Sequence, residues 1–112
     1  MGKYIIKDGK GYIKEYYNNG KLEFEGEYLN GERNGKGKEY NYNGTLIFEG
    51  EYLKGKKNEG KEYYDNGKLK FEGEYLNGKI WNGKGYNNSG DIEFIINISK
   101  IYLELILNII KK

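Results

Sequence analysis

Phe24-Glu25-Gly26-Glu27-Tyr28-Leu29 returns as Phe48-Glu49-Gly50-Glu51-Tyr52-Leu53 and again as Phe71-Glu72-Gly73-Glu74-Tyr75-Leu76. The offsets are 24 and then 23 residues, and a worn fourth copy begins a further 23 residues on, at Phe94. Working outward from the hexapeptide, Lys-Glu-Tyr recurs from Lys14, Lys38 and Lys61. The glycines Gly20, Gly44, Gly67 and Gly90 keep the same phase, as do Gly31, Gly55 and Gly78. Self-similarity at such a period marks supersecondary units that cannot bury an apolar face alone and must stack on their neighbours.

Each unit reads as a β-hairpin. Asn19-Gly20, Asn43-Gly44 and Asn66-Gly67 are turn dipeptides, with Ser89-Gly90 as a weaker fourth, because Gly tolerates the positive φ that tight turns need. After each turn the residues alternate, the mark of a strand with one buried face. Leu22, Phe24, Gly26 and Tyr28 are expected on one side and Lys21, Glu23, Glu25 and Glu27 on the other. The same pattern places Leu46 with Phe48 and Leu69 with Phe71. A two-residue loop would set Tyr64 opposite Leu69, and a three-residue loop with a glycine bulge would set Tyr63 there. The recurrence of Tyr at 16, 40, 63 and 86 favours the bulged loop. Glycine in mid-strand (Gly26, Gly50, Gly73) weakens a strand. Its regular return points to room for a neighbouring aromatic ring to lie over the backbone.

The pattern Glu-Gly-Glu-Tyr-Leu, then a glycine turn, Lys, Asn and a Gly-x-Gly, resembles the MORN repeat. The resemblance runs from residue 11 to about 94, specific in three central copies and loose in the last. Gly35-Lys36-Gly37 and Gly83-Lys84-Gly85 match its Gly-x-Gly, whereas Lys57-Asn58-Glu59-Gly60 loses the first Gly. The family's usual Trp near the end of the second strand is Tyr28, Tyr52 and Tyr75 here. Two extra residues around Tyr12-Ile13 are expected as a bulge or longer loop. The resemblance implies a mainly β fold, a single elongated twisted antiparallel sheet of stacked hairpins. It also implies scaffolding and protein–protein contact, lipid binding in some members, and no catalytic residues to carry over.

With 112 residues the chain is one domain, 1–112. Residues 1–10 hold an N-terminal edge strand, Tyr4-Ile5-Ile6, and an Asp8-Gly9 turn. The hairpin repeats fall at 11–34, 35–58, 59–82 and 83–98. Beyond them the period changes: Ile98, Ile101, Tyr102, Leu105, Ile106, Ile109 and Ile110 follow helical spacing, with Lys100, Glu104, Asn108 and Lys111 opposite. This predicts an amphipathic α-helix within 99–112, N-capped by Ser99. As a cap it would fold onto the last hairpins. It could instead bind a partner or a second copy, leaving monomer and homodimer both open, or lie on a membrane surface; it is too short to span one.

Composition limits the chemistry. There are 13 Tyr and 18 Gly but no Pro, Cys, His, Ala, Val or Gln. Without His or Cys the common metal clusters, histidine bases and thiol nucleophiles are missing, and no cofactor or metal is expected. The paired Glu residues read as an outer face with cross-strand Lys partners rather than as a glycosidase dyad. Formal net charge is +2, from 19 basic and 17 acidic residues, too balanced for a dedicated nucleic-acid binder. No apolar leader follows Met1, so a cytoplasmic location is expected.

The function expected is therefore a non-enzymatic module that docks a partner protein. Trp81, the one tryptophan, and Ile80 lie in the expected loop Lys79-Ile80-Trp81-Asn82, whose equivalent loops, Glu32-Arg33-Asn34 and Lys56-Lys57-Asn58, are shorter and carry no apolar residue, and an exposed Trp is hot-spot chemistry. The candidate partner-binding residues are Ile80, Trp81, Tyr86, Tyr17, Tyr42, Tyr64, Lys56 and Lys57. Small size and a bias toward residues with A/T-rich codons suit an inhibitor of a bacterial nuclease effector, of anti-CRISPR or antitoxin type, whose partner is a CRISPR effector or toxin. The alternative is a peripheral binder of anionic lipid or nucleic acid through the Lys-rich turns.

Overall fold

The computed structural model describes residues 2–5 and 9–111. Nine strands follow one another in chain order: β1 (Gly2–Ile5), β2 (Lys10–Tyr16), β3 (Leu22–Leu29), β4 (Glu32–Tyr40), β5 (Leu46–Leu53), β6 (Lys56–Tyr63), β7 (Leu69–Leu76), β8 (Lys79–Tyr86) and β9 (Ile92–Ile96). A helix, α1 (Lys100–Lys111), ends the chain. The strands form one antiparallel sheet in the order β1 to β9, so every connection is a hairpin. The radius of gyration is 16.1 Å, against about 13 Å for a compact domain of this length. A single layer is the reason: among the described residues there is no second sheet for this one to pack on. Tyr4 and Ile5 lie in or at the end of the edge strand as expected, while Ile6 and Asp8 lie outside the described residues.

Two kinds of turn alternate. At one edge the Tyr64 N–H donates to the Lys68 carbonyl (2.8 Å) and the Gly67 N–H to the Tyr64 carbonyl (2.8 Å). Gly67 has φ of +86°. This is a type I turn closed by a glycine bulge, and it sets Tyr63 opposite Leu69. The bulged loop favoured by the recurring tyrosines is therefore the one that forms. At the other edge Asn30-Gly31, Lys54-Gly55 and Asn77-Gly78 carry φ near +50° and then between +80° and +86°, as two-residue type I′ turns require. Here the sequence reading needs correcting. Glu32-Arg33-Asn34, Lys56-Lys57-Asn58 and Lys79-Ile80-Trp81-Asn82, read as loops, begin strands β4, β6 and β8. Their irregularity is taken up as bulges within the ladder.

Two further expectations change. No insertion sits at Tyr12-Ile13: the β2–β3 register runs unbroken from Lys10↔Leu29 to Glu15↔Phe24. Ile13 simply stands where later repeats have Gly37, Gly60 and Gly83. The turn bulge also shifts the alternation. Leu46 and Leu69 pair with Tyr40 and Tyr63, whose hydroxyls reach Glu25 and Glu49. Cross-strand partners share a face, so these leucines lie on the Glu/Lys face, opposite to Phe48 and Phe71, and Leu22 pairs with Tyr16 in the same way.

The core lies on the other face. Phe24, Phe48 and Phe71 are at most 1% exposed although nothing but their own sheet covers them. The floor beneath them is glycine. Gly26↔Gly37, Gly37↔Gly50, Gly50↔Gly60, Gly60↔Gly73 and Gly73↔Gly83 make one rung across six strands. A Cβ on Gly37 would lie 2.8 Å from the Phe24 ring and 2.9 Å from the Tyr52 ring. The mid-strand glycines are thus the bed for stacked rings, as their recurrence suggests. The roof is made of tyrosines set edge-on: Tyr28 and Tyr52 on Phe24 (6.0 and 5.4 Å between centroids), Tyr52 and Tyr75 on Phe48 (5.5 and 5.8 Å), Tyr75 on Phe71 (5.6 Å). Such pairs add about 0.5–1.5 kcal/mol each beyond burial itself.

The helix forms where its periodicity places it, with the Tyr102 N–H 3.5 Å from Ser99 Oγ as the cap. It does not cover the last hairpin. Ile101, Ile109 and Ile110 are 73, 72 and 70% exposed. Two causes are visible. The phenylalanine row is already roofed by tyrosine, and Asn82 grips the link between β9 and α1. Asn82 Oδ1 accepts from the Ile98 N–H (2.6 Å) and Asn82 Nδ2 donates to the Ile98 carbonyl (3.1 Å).

Candidate binding surfaces

On the Glu/Lys face the glycine rung becomes the floor of a trough. One wall alternates in sign along paired residues: Glu25, Lys38, Glu49, Lys61, Glu72, Lys84. Its carboxylates accept the hydroxyls of Tyr40 (3.1 Å), Tyr63 (3.3 Å) and Tyr86 (3.1 Å). The opposite wall holds Lys36, Glu51, Glu59 and Glu74, and Glu59 is paired with Glu51 on one side and Glu74 on the other. A hydrogen bond with the Glu51 carboxyl, then burial and the two neighbouring charges, raises the Glu59 pKa. Hollows of about 410 and 370 Å³ lie in this trough and meet at Gly50 and Glu59.

The aromatic face is electrostatically closed. Arg33 stands 3.9 Å over the Phe24 ring and within 3.5 and 3.7 Å of Glu15 and Glu39. Lys57 repeats this over Phe48, with its Nζ 4.5 Å from the ring and 3.9 Å from Glu39. Glu15, Glu39 and Glu62 in turn accept the hydroxyls of Tyr28, Tyr52 and Tyr75. Burial first, and then these carboxylates, push the Tyr52 and Tyr75 hydroxyls well above the ordinary tyrosine pKa. Tyr40 is pushed up to about 12 by burial and by Glu25. Sequence reasoning missed this network, although its signal was present: each Tyr–Glu partnership spans the same 13 residues.

The residues singled out from sequence fall into separate groups. Lys56, Lys57, Ile80 and Trp81 lie at the edge of the type I′ turns. Trp81 is the bulged residue of β8, between Asn82 opposite Glu74 and Ile80 opposite Tyr75, and is half-buried. Ile80 takes the place that Arg33 and Lys57 hold in the earlier repeats. Lys57 is engaged over Phe48, whereas Lys56 is exposed and lies against Gly78. Tyr17, Tyr42 and Tyr64 line the opposite edge. Tyr17 and Tyr42 meet edge-on at 5.2 Å, Tyr17 donates to the Tyr40 carbonyl, and Tyr64 donates to the Tyr86 carbonyl. A strand of eight residues separates the two edges by about 25 Å. They do not form one site.

Among the described residues no group of three or more His, Cys, Asp or Glu side chains is placed to hold a metal ion. No described helix is long and apolar enough to cross a membrane.

The family model of the MORN repeat variant matches residues 10–30, 33–54 and 57–77, more than half of the chain. This chain belongs to the MORN-repeat family. No curated protein and no solved structure matches it. The three MORN matches coincide with β2–β3, β4–β5 and β6–β7. MORN repeats are commonly protein- or membrane-binding modules.

The departures from the MORN pattern gather at its C-terminal end. In β9, Ile95 stands where Glu25, Glu49 and Glu72 stand, and Ile96 where Gly26, Gly50 and Gly73 stand. The two Gly-x-Gly stretches are also offset. Gly37 lies in the glycine rung, but in the last copy Gly83 does, and Gly85 takes the place of Glu39. The Phe94 ring lies on Gly85 and stacks on Phe71 at 6.3 Å. Ile92, Ile95, Tyr102 and Leu105 are 54 to 61% exposed.

Proposed function

We propose that this MORN sheet is a non-enzymatic protein-binding module whose main docking surface is its C-terminal end. The observation that carries the reading is the distribution of exposed apolar side chains. Over the regular repeats they are scattered singly, as on any protein surface. From Ile92 to Ile110 they follow one another along β9 and α1. Apolar exposure concentrated in this way supports an interaction site. The adjoining Ile80, Trp81 and Lys56 are further proposed contacts on the turn edge, with Tyr17, Tyr42 and Tyr64 as a secondary aromatic strip. Tyr86 and Lys57 contribute more to the sheet's own bonds than to a free surface.

Within this class, the bias toward residues encoded by A/T-rich codons supports an inhibitor of a bacterial nuclease effector, with a CRISPR effector or toxin as the partner. The alternative occupant, anionic lipid or nucleic acid held at the Lys-rich turns, predicts a different salt response. The deciding experiment is capture of partners by the full chain at low salt and at about 0.5 M salt, where charges are screened beyond roughly 5 Å. Protein partners retained at high salt and reduced by Ile109→Glu support the reading. Capture of nucleic acid or lipid only, released by salt, sinks it. Undiminished capture by Trp81→Ala removes Trp81 from the contact.

A further inference from the structure

Asn-Gly occurs seven times in this chain. Glycine leaves the backbone nitrogen that follows an asparagine unshielded by any side chain. That nitrogen can attack the side-chain amide of the asparagine before it. The fold decides which of the seven pairs are free to react.

Six of them are held. In the bulged turns the attacking nitrogen is occupied: the N–H groups of Gly20, Gly44 and Gly67 donate to the carbonyls of Tyr17, Asn41 and Tyr64 at 2.8 to 3.0 Å. In β4 and β8 the side chain is occupied. Asn34 Oδ1 accepts from the Lys54 N–H (3.1 Å), and both ends of the Asn82 amide bond to Ile98. Asn30 opens a type I′ turn, but its N–H donates to the Gly9 carbonyl (2.8 Å) and its side chain lies against Gly9.

Asn77 is held by none of these devices. It opens the third type I′ turn, and both turn residues are exposed. Among the described residues no hydrogen bond engages its side chain, its N–H or the Gly78 N–H. In the preceding type I′ turn Asn34 binds the Lys54 N–H, and the Arg33 carbonyl binds the Gly55 N–H (2.9 Å). The surroundings of Asn77 favour attack as well. A hollow of about 320 Å³ beside it is lined by Lys54, Lys56 and Lys57, and the Lys56 stem lies against Gly78. Among the described residues Lys54 and Lys56 are in no ion pair. Neighbouring cations stabilise an amide anion, the oxyanion that follows it, and the carboxylate that replaces the side-chain amide.

We propose that Asn77 is a site of self-modification in the native fold. The Gly78 nitrogen gives its proton to hydroxide and attacks Asn77 Cγ. The new N–Cγ bond closes a succinimide, and the Cγ–Nδ2 bond breaks with release of ammonia. Water then opens the ring. Cleavage between the Gly78 nitrogen and Cγ yields aspartate. Cleavage between that nitrogen and the Asn77 carbonyl carbon yields isoaspartate, whose main chain runs through Cβ and Cγ. In sum one water is consumed, one ammonia leaves, and an amide becomes an acid. The extra backbone carbon of isoaspartate does not fit a two-residue turn that sets Leu76 opposite Lys79. The distortion falls on Ile80 and Trp81, which follow directly in β8. The inference does not depend on what the sheet binds.

Peptide mass spectrometry of the full chain during incubation at neutral pH tests it. Each Asn-Gly peptide is followed for the mass gain of amide-to-acid exchange, and isoaspartate is read with an isoaspartyl methyltransferase and a labelled methyl donor. The same incubation in urea gives the rates without the fold. In the native chain Asn77 converts about tenfold faster than the other six, the factor that one or two missing hydrogen bonds supply. In urea the seven rates converge. Trp81, the sole tryptophan, gives a second readout. Its fluorescence changes as isoaspartate accumulates, differs little between fresh wild type and fresh Asn77→Asp, and holds steady in Asn77→Gln, whose ring closure is disfavoured. Native conversion at Asn77 no faster than at Asn19 or Asn30 overturns the inference, as does acid that appears only in urea. A lead for Asn77 that persists undiminished in urea overturns it too, because sequence rather than fold would then set the rate.

Discussion

The Arg33 guanidinium lies 3.9 Å from the centre of the Phe24 ring. The chain has one arginine, and it covers the first core phenylalanine while holding Glu15 and Glu39 at 3.5 and 3.7 Å. A single sheet has no second layer to exclude water, so a cation over the ring stands in for one. We expect Arg33→Ala to lower stability by about 2 kcal/mol, from lost cation–π attraction and lost cover. Arg33→Lys should recover part of this, because Lys57 performs the same task over Phe48. Urea unfolding midpoints measure both, and equal loss for Ala and Lys would rule out the ring contact as the cause.

The glycine rung makes a sharper prediction. A Cβ on Gly50 would run into the Glu59 carbonyl oxygen and lie 2.6 Å from the Gly60 Cα. Both obstacles are backbone and cannot swing aside. Gly50→Ala should cost about 3 kcal/mol or more, at the upper end of overpacking effects. Gly20→Ala meets no atom within 4 Å, so its cost is limited to the strain of a positive φ. Thermal unfolding of the two variants separates steric from conformational cost.

Among the described residues Glu59 is the one acidic residue flanked by two others in register, Glu51 and Glu74. Lys36 holds the equivalent place in β4. Glu59→Lys should stabilise by roughly 0.5–1 kcal/mol, the scale of cross-strand charge pairs. The gain should shrink in high salt. The raised pKa of Glu59 gives the pH sign: folding favours its protonated form, so the repulsion is relieved as pH falls through the carboxylate range. A stability difference between the wild type and Glu59→Gln that did not change between pH 3 and pH 7 would contradict this.

The roof tyrosines predict alkaline sensitivity. Tyr52 and Tyr75 are 4% exposed and titrate above the ordinary value near 10. A group with a raised folded-state pKa contributes fully below the unfolded pKa and loses that contribution as pH climbs toward the folded one. Stability should therefore hold up to about pH 10 and then fall, by up to about 1.4 kcal/mol per pH unit for each tyrosine. Tyr52→Phe should flatten the slope while lowering stability at neutral pH through the loss of the Glu39 bond. Unfolding midpoints that stay level from pH 9 to pH 11.5 would refute the assignment.

The hairpins, their bulged register and the bed of glycine were readable because each rests on a local rule repeated in phase. Asn66-Gly67 specifies a turn, and Tyr63 specifies what faces Leu69. The features that escaped depend on counting residues across two irregularities. Leu46 and Leu69 change face because a bulge intervenes, and no pattern of alternation carries that information. Lys79 to Asn82 read as a loop because their polarity has no period; the type I′ turn at Asn77-Gly78 absorbs the reversal and leaves them in a strand. The helix was legible by its spacing, but its position was not. Amphipathicity says that a face must be covered, not by what, and Asn82 directs the link to α1 from sixteen residues away. The candidate contacts at Ile80 and Trp81 were visible as departures from the repeat, whereas their distance from Tyr17 and Tyr42 required the register.

Tyr52 leans on both Phe24 and Phe48, and Tyr75 on both Phe48 and Phe71. Each ring is therefore shared property of two neighbouring hairpins, and no hairpin owns a complete core. In such a chain of nearest-neighbour couplings, disorder entering at one end must travel link by link. The weakest link is the last, where Ile98 stands in the place of the tyrosine and Ile80 in the place of the cation. Pulled or heated, this protein should come apart like a zipper from its C-terminal end, in steps of one hairpin, rather than burst from the middle.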